Sequence, residues 1–386
     1  MVDFTEVEMK KRIFVLLFCM LLALSLAGCS RGAEEKSSSD TSSSDEQISD
    51  SDYLDMSVSE WKERAQNGDA MAMYRLGVYY DYSASKDTQD DALAMKWYQK
   101  AADAGLVKAE TALGYLYLHG CGTEPSEETA VSFFQKAAAG GDPNGTAGLA
   151  RTVFEETAPS ADALTGAYQN LVAARDAGSE DAVYLLGYAS EKGLGCEQNY
   201  DAALLYYTQA SGFDTRDPVS AYNVNSALVR LGVIWSNGLG VTADYAKAID
   251  YFKQAADADF APAEYYLGVM YQEGYGTDAD DGEAFSWFSK AAGHSYAPAQ
   301  NQIGYFYYNG LGTDVDYDQA VYYLKLSAAS GYAPAQINLG YLYENGYGVE
   351  QNLSSALAYY QMAEASGYAG ASEAVSRVSG KMQQTT

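Results

Sequence analysis

Side chains that could carry out catalysis are scarce in this sequence of 386 residues. Only two histidines are present, His119 and His294, and they lie far apart in the chain. A histidine-based metal cluster or a Ser/His/Asp site needs an imidazole beside further functional side chains. We therefore expect no catalytic residue, no metal site and no cofactor, and we interpret the protein as not being an enzyme.

The run Asp314, Asp316 and Asp318 resembles the start of an EF-hand calcium loop. An EF-hand also needs glycine at its sixth position and a bidentate glutamate at its twelfth. Gln319 and Lys325 stand there instead. We interpret the run as a loop that leads into a helix N-cap. The Gly-x-Gly loops elsewhere lack the lysine of a phosphate-binding loop, so we expect them to be structural.

These glycine loops belong to a repeat that organises most of the chain. Its clearest copies, Leu267-Gly268, Ile303-Gly304 and Leu339-Gly340, are 36 residues apart. A glycine inside a helix costs about 1 kcal/mol relative to alanine. The recurrence of Gly268, Gly304 and Gly340 therefore predicts close approach of a partner helix at this point.

The second helix of each repeat has its own pattern, counted from the second glycine of the Gly-x-Gly loop. Four residues later stands a preferred N-cap residue: Ser126, Asn199, Asp244, Asp280, Asp316 and Asn352. Eight residues later stands alanine, and eleven residues later an aromatic residue such as Trp287, Tyr323 or Tyr359. This spacing predicts a buried stripe of alanine and aromatic side chains.

Four motifs recur in register over residues 68–367: Leu-Gly-x-x-Tyr, Gly-x-Gly, Asp-x-x-x-Ala-x-x-Trp and Ala-Ala. Together they resemble the Sel1-like repeat, a relative of the tetratricopeptide repeat. The resemblance implies an all-α fold, a right-handed αα-superhelical solenoid of about eight repeats, and protein interaction more than chemistry. Such short units must stack to share one core.

Several repeats depart from the pattern. In the first, the polar run Asp81–Asp90 stands in place of Gly-x-Gly. The third is degenerate, with Leu149-Ala150 in place of Leu-Gly and Asn170 at the aromatic position. About nine extra residues lie near 212–224, and we interpret them as a longer connection. It could be neutral, a lip on the binding groove, or a hinge.

Partial capping helices are predicted at 53–67, with a Ser57/Glu60 capping box, and at 368–386, which also includes a polar tail.

The N-terminal residues predict export. Lys10-Lys11-Arg12 precedes an apolar run, Ile13–Ala27, and Leu26-Ala27-Gly28-Cys29 resembles the lipobox of bacterial lipoproteins. The resemblance implies a signal peptide at 1–28, lipidation of Cys29, and an extracytoplasmic protein anchored to a bacterial membrane. Residues 29–52 are rich in Ser and Asp, so we expect a disordered tether.

Charge and cysteine content restrict the partners. The formal net charge is −28, which disfavours nucleic acid. A basic partner, divalent cations or solubility remain as uses of this charge. Cys121 and Cys196 lie two repeats apart, and we expect both to be free thiols.

The function must therefore lie on the surface. The chain has 35 tyrosines, and Tyr115, Tyr188, Tyr305 and Tyr341 each follow a Leu-Gly glycine directly. They are candidate partner contacts on the concave face, with packing between repeats as the alternative. We expect a membrane-anchored extracytoplasmic scaffold or adaptor that binds a protein or peptide. The alternatives are a cell-envelope enzyme or enzyme inhibitor related to peptidoglycan or β-lactams, and a polysaccharide-export accessory lipoprotein.

Overall fold

A computed structural model describes residues 49–82 and 90–384, and these ranges contain 19 helices and no strand. The all-α prediction is confirmed. The described residues form two compact units, divided between Ala243 and Asp244. Cys29, the signal peptide and residues 29–48 of the expected tether lie outside the described residues.

The N-terminal unit contains eleven of the described helices. They are α1 (Asp50–Leu54), α2 (Val58–Gln66), α3 (Ala70–Asp81), α4 (Asp91–Asp103), α5 (Val107–His119), α6 (Glu127–Ala139), α7 (Pro143–Glu155), α8 (Ala161–Asp176), α9 (Glu180–Lys192), α10 (Tyr200–Ala210) and α11 (Pro218–Asn237). The first of these begins inside the stretch assigned to the tether.

The C-terminal unit contains the other eight. They are α12 (Tyr245–Ala256), α13 (Ala261–Glu273), α14 (Asp281–Gly293), α15 (Ala297–Asn309), α16 (Tyr317–Ala329), α17 (Ala333–Asn345), α18 (Leu353–Ala365) and α19 (Ala371–Gln384).

Consecutive helices pair as antiparallel hairpins, and the first helices of successive repeats also contact one another, as α5 does with α7 and α7 with α9. Since helices on the inner side of a curved stack are closer together, we assign the first helices to the inner face of each unit.

The predicted N-caps are confirmed. All six predicted N-cap side chains accept a hydrogen bond from a backbone amide in the first turn, as Asp316 does from Gln319 at 3.0 Å. Ser57 and Glu60 form the predicted capping box. The glycines of the Gly-x-Gly loops have positive φ, such as Gly274 at 68° and Gly276 at 74°, and the first of each pair ends a first helix. Glycine adopts this conformation without the steric cost that other residues meet.

The mid-helix glycines lie against the second helix of their own repeat. A Cβ built on Gly268 would be 2.6 Å from Phe288, and one built on Gly340 would be 2.7 Å from Tyr360. Gly304 has the same relation to Leu324, at 2.7 Å. The absence of a side chain at these positions is what allows the two helices to pack so closely.

One detail of the predicted stripe is wrong. The side chains buried under these glycines are Phe288, Leu324 and Tyr360, each one residue after the predicted aromatic position. Trp287, Tyr323 and Tyr359 are only partly buried. Residues three and four positions apart lie on the same face of a helix. The spacing therefore predicted the correct buried face, but the predicted aromatic residue lies at the edge of that face and the next residue lies at its centre.

The degenerate repeat keeps its two helices, α7 and α8, but packs less completely. A shallow depression of about 350 Å³ lies beside Leu149, Val153, Ala163 and Asn170. Asn170 and Val153 stand where other repeats have aromatic side chains, and both line this depression.

The interpretation of 212–224 as a longer connection is wrong for most of its length. Asp217 caps a helix that begins at Pro218 and continues to Asn237, so α11 has 20 residues where the first helices on either side, α9 and α13, have 13. Asp217 accepts from the amide of Val219 at 3.1 Å. Proline at the first helical position is favoured because its missing N–H would be unpaired there. The extra residues therefore lengthen a helix by about two turns.

Candidate functional site

The inner face of the N-terminal unit is occupied by the chain itself. Asp217, at the start of α11, pairs with Arg75 of α3 at 2.8 Å. Asn223 Nδ2 donates to Asp181 Oδ1 of α9 at 2.5 Å, and Val219 packs against the core cluster of α3, α4 and α5. The extension of α11 thus covers part of the face on which a bound peptide was expected.

Tyr115 and Tyr188, two of the predicted partner contacts, take part in this internal packing. The Tyr115 hydroxyl donates to Asp181 Oδ2 at 3.1 Å, and its ring lies edge-on to Phe134 at 5.0 Å. Arg151 lies 5.5 Å from the centre of the Tyr115 ring. Burial raises the pKa of both Tyr115 and Tyr188. In this unit the structure uses these two tyrosines for packing, which was the alternative role considered for them.

A buried carboxylate recurs four residues after the Leu-Gly glycine in three repeats. Tyr98 donates to Asp81, Tyr207 to Glu191 and Tyr360 to Glu344, at 3.0, 3.0 and 2.8 Å. Where the second helix has Phe134 or Phe288 in place of that tyrosine, the corresponding positions hold leucine and glutamine. The hydroxyl and the carboxylate therefore occur together, as buried polar groups require partners.

These carboxylates differ in their cationic partners. Arg230 forms a two-point ion pair with Glu191, and its cationic charge, together with hydrogen bonds, outweighs burial and lowers the pKa of Glu191 to about 2. Burial without such a cation raises the pKa of Asp81 to about 7. The three sites are explained by helix packing, and sequence reasoning missed them although the tyrosine–carboxylate spacing was readable.

The C-terminal unit presents a different arrangement, a cluster of tyrosine rings. Tyr308, Tyr317, Tyr341 and Tyr347, here called the tyrosine surface, have ring centres between 5.3 and 6.2 Å apart in five pairs. Tyr317 is 38% exposed, and the other three are half-buried. This surface joins α15, α16, α17 and the loop that follows α17, so it spans two repeats.

The other two predicted contacts fall in this unit. Tyr341 belongs to the tyrosine surface. Tyr305 lies on α15, where burial raises its pKa, and its hydroxyl lies in the field of Asp281 and Glu273. The structure therefore brings Tyr341, but none of the other predicted tyrosines, into the cluster. Tyr317 and Tyr347 were missed because they stand in loop and cap positions outside the Leu-Gly register.

Acidic side chains flank the tyrosine surface. Asp316 and Asp318 are the sequence neighbours of Tyr317, and Asp314 precedes them in the same loop. All three are exposed, as is Glu350 beyond Tyr347. Asp316 caps α16, as the sequence predicted. The surface therefore combines aromatic area with negative charge, which suits a cationic segment.

Among the described residues, one group of side chains could hold a metal ion. Donor atoms of Asp259, Glu264 and His294 lie within 4.8 Å of one another. No metal site was expected from the sequence, in which His294 lies far from the other histidine. His119, the other histidine, stacks on Tyr115 at 6.2 Å, and burial lowers its pKa to about 4.

Cysteine chemistry is partly as expected. Cys196 is a free thiol. Cys121 is disulfide-bonded, so the expectation of a free thiol is wrong at this position. Among residues 49–82 and 90–384, no helix has the length and apolar content needed to cross a membrane.

The repeated helical hairpins, with no catalytic family indicated, define a solenoid of the kind that generally serves protein–protein interaction. The Sel1 repeat profile matches residues 70–106, 107–142, 180–211, 225–260, 261–295, 297–332 and 333–368. The chain belongs to the Sel1 repeat family. Residues 143–179, which contain the degenerate repeat, lie between two of these matches.

Segments of known proteins are similar to this chain. An uncharacterized protein of Neisseria meningitidis serogroup B is 30% identical over 200 residues, covering 52% of this chain and 39% of that protein. The chitin synthase regulator SKT5 of Saccharomyces cerevisiae is 38% identical over 88 residues, covering 22% of this chain and 13% of the regulator. The chain thus matches well under half the length of these curated relatives.

A solved structure supports the fold. The crystal structure of a Sel1 repeat protein from Oxalobacter formigenes superposes with a TM-score of 0.51 at 22% identity, and the match covers 94% of this chain and 99% of that one. At this identity the similarity shows the fold alone.

Proposed function

We propose that this protein is a lipid-anchored, extracytoplasmic interaction scaffold that binds a protein or peptide through the tyrosine surface of its C-terminal unit. The observation that carries the proposal is the contrast between the two units. The chain's own α11 covers part of the inner face of the N-terminal unit, whereas in the C-terminal unit Tyr317 is 38% exposed beside the half-buried rings of the tyrosine surface.

Tyrosine suits this role because it offers apolar area, a polar tip and little rotamer entropy to lose on binding. The flanking carboxylates of Asp314, Asp318 and Glu350 add a negative field. We therefore propose that the bound segment carries lysine or arginine, whose side chains can stack on the rings while pairing with the carboxylates.

The membrane anchor is a separate part of the proposal, supported by Leu26-Ala27-Gly28-Cys29 and the preceding apolar run. A diacylglyceryl group on Cys29 would supply two acyl chains, which is enough for stable anchoring. Residues up to the first helix would then serve as a tether. Cys29→Ser is expected to release the protein from membranes or leave its precursor unprocessed. A variant that fractionates with membranes as the wild type does would contradict the anchor.

Binding can be tested without knowing the partner. The full chain, purified in detergent, is used to select peptides from a random display library, and the selected peptides are then titrated by calorimetry. We expect the selected peptides to contain lysine or arginine. Their affinity for the double variant Tyr317→Ala/Tyr347→Ala should be at least tenfold lower than for the wild type, a loss of about 1.4 kcal/mol in binding free energy.

Leu205→Ala is the matched control, because Leu205 is 67% exposed but lies in the N-terminal unit. It should leave affinity unchanged. If the selected peptides bind the double tyrosine variant as tightly as the wild type, the tyrosine surface is not the binding site.

A further inference from the structure

We propose that Asp259, Glu264 and His294 form a binding site for one divalent transition-metal ion, with Zn²⁺ the best match. Their donor atoms lie within 4.8 Å of one another, and His294 Nε2 is 3.7 Å from Glu264 Oε1. One imidazole nitrogen and two carboxylate oxygens are ligands that Zn²⁺ accepts at about 2.0–2.2 Å.

The three residues come from different segments that the hairpin packing brings together. Asp259 lies between α12 and α13, Glu264 in the first turn of α13, and His294 at the C-cap of α14. A bound ion would therefore connect two consecutive repeats within the C-terminal unit. Three protein ligands leave room for water at the remaining positions.

The three side chains differ in burial. Glu264 is only 1% exposed, whereas Asp259 is exposed and His294 is half-buried. The buried glutamate supplies a fixed ligand, and the two more accessible side chains can close by up to about 1.5 Å to the donor spacing of about 3.3 Å that tetrahedral coordination needs.

The chain's own repeats provide an internal comparison. At the 36-residue period, Asp259 corresponds to Ser295 and Gly331, Glu264 to Gln300 and Gln336, and His294 to Ser330 and Ser366. At the junction that contains Asp259, all three positions carry side chains that commonly bind metal ions. The two junctions that follow have Ser, Gly and Gln at these positions.

Asp259 illustrates what this exchange involves. Its φ is 54°, a left-handed conformation that Ser295 (φ 61°) and Gly331 (φ 78°) also adopt at the equivalent positions. Aspartate is among the few non-glycine residues enriched in this conformation, so the backbone accepts Asp, Ser or Gly here. The junction also forms with Gln and Ser at the other two positions, and the Asp, Glu and His of this copy add three metal-ligand groups to it.

The test uses the full chain purified in detergent, stripped with chelator and titrated with Zn²⁺ in excess Mg²⁺, which occupies unspecific acidic sites. The variants Asp259→Gly, Glu264→Gln and His294→Ser each introduce a residue that the chain already has at an equivalent position, so folding should be retained. We expect one Zn²⁺ per chain, a higher melting temperature with metal, and at least a tenfold loss of affinity in Glu264→Gln and in His294→Ser.

Co²⁺ supplies a second readout, because its visible absorption band reports the ligands directly. The band should appear in the wild type and change in His294→Ser. The proposal is overturned if the wild type binds no Zn²⁺ under these conditions, or if the triple variant binds it with the same affinity and stoichiometry.

Discussion

The glycine at the centre of a first helix gives a quantitative test of how the repeats pack. A Cβ added at Gly268 would lie 2.6 Å from two atoms of the Phe288 ring, which is fully buried. Favourable carbon–carbon contacts lie at about 3.5–4.0 Å, so the ring or the helix must move by about 1 Å. We predict that Gly268→Ala destabilises the protein.

The expected size follows from two opposing effects. Overpacking a close contact costs about 1–3 kcal/mol, and replacing a helical glycine by alanine returns up to about 1 kcal/mol. The net loss should therefore be about 1 kcal/mol, and larger for Gly268→Leu. Gly380 lies within α19 of the same unit, and a Cβ there would meet nothing within 4 Å. Gly380→Ala is expected to keep the propensity gain and raise stability.

Urea unfolding followed by circular dichroism measures both variants. Repeat proteins can unfold in stages, so the comparison uses the transition of the C-terminal unit, to which both residues belong. Gly346→Ala would be a poor control, since its φ of 75° would strain alanine. If Gly268→Ala raises the midpoint as Gly380→Ala does, the close approach at this glycine is wrong.

Three further predictions concern buried polar groups and the α11 extension. The pKa of Asp81 is raised to about 7 in the folded state. The stabilisation from the protonated Asp81 carboxyl is therefore complete below pH 4 and is lost as the pH rises to 7. Over that range the stability of Asp81→Asn relative to the wild type should increase. Arg230→Met should cost about 3 kcal/mol in chemical unfolding, because the buried Glu191 would keep only Lys192 Nζ, at 2.9 Å, and the Tyr207 hydroxyl as partners. Arg230→Lys should cost less. Asn223→Ala should lower the melting temperature, because the buried Asp181 carboxylate loses the hydrogen bond that Asn223 donates to it. An unchanged melting temperature would contradict a packing role for the N-terminal extension of α11.

Much of the repeat could be predicted because each feature depends on local chemistry. The N-caps at Asp244 and Asp280, and the positive φ of Gly274, follow from the residue types and their spacing. The choice between Trp287 and Phe288 could not be made this way, because helical spacing defines a face and tertiary packing selects the residue beneath the glycine.

The α11 extension and the metal-ligand cluster were missed for different reasons. Asp217-Pro218 is a helix-start signal that was present in the sequence but was read as part of a loop. Asp259, Glu264 and His294 become neighbours only when two loops meet, and their separations follow no ligand motif. Comparing equivalent positions at the 36-residue period would have revealed them.

Site-specific photocrosslinking in the native envelope tests the central claim most directly. A photoreactive residue is placed at Val315, which is 52% exposed and two residues from Tyr317, or, as the control, at the exposed Leu205, and adducts are identified by mass spectrometry. We predict a discrete adduct with one protein from position 315, its loss when Tyr317 and Tyr347 are both changed to alanine, and none from Leu205. The same adducts from both positions, or none from position 315, would contradict the account.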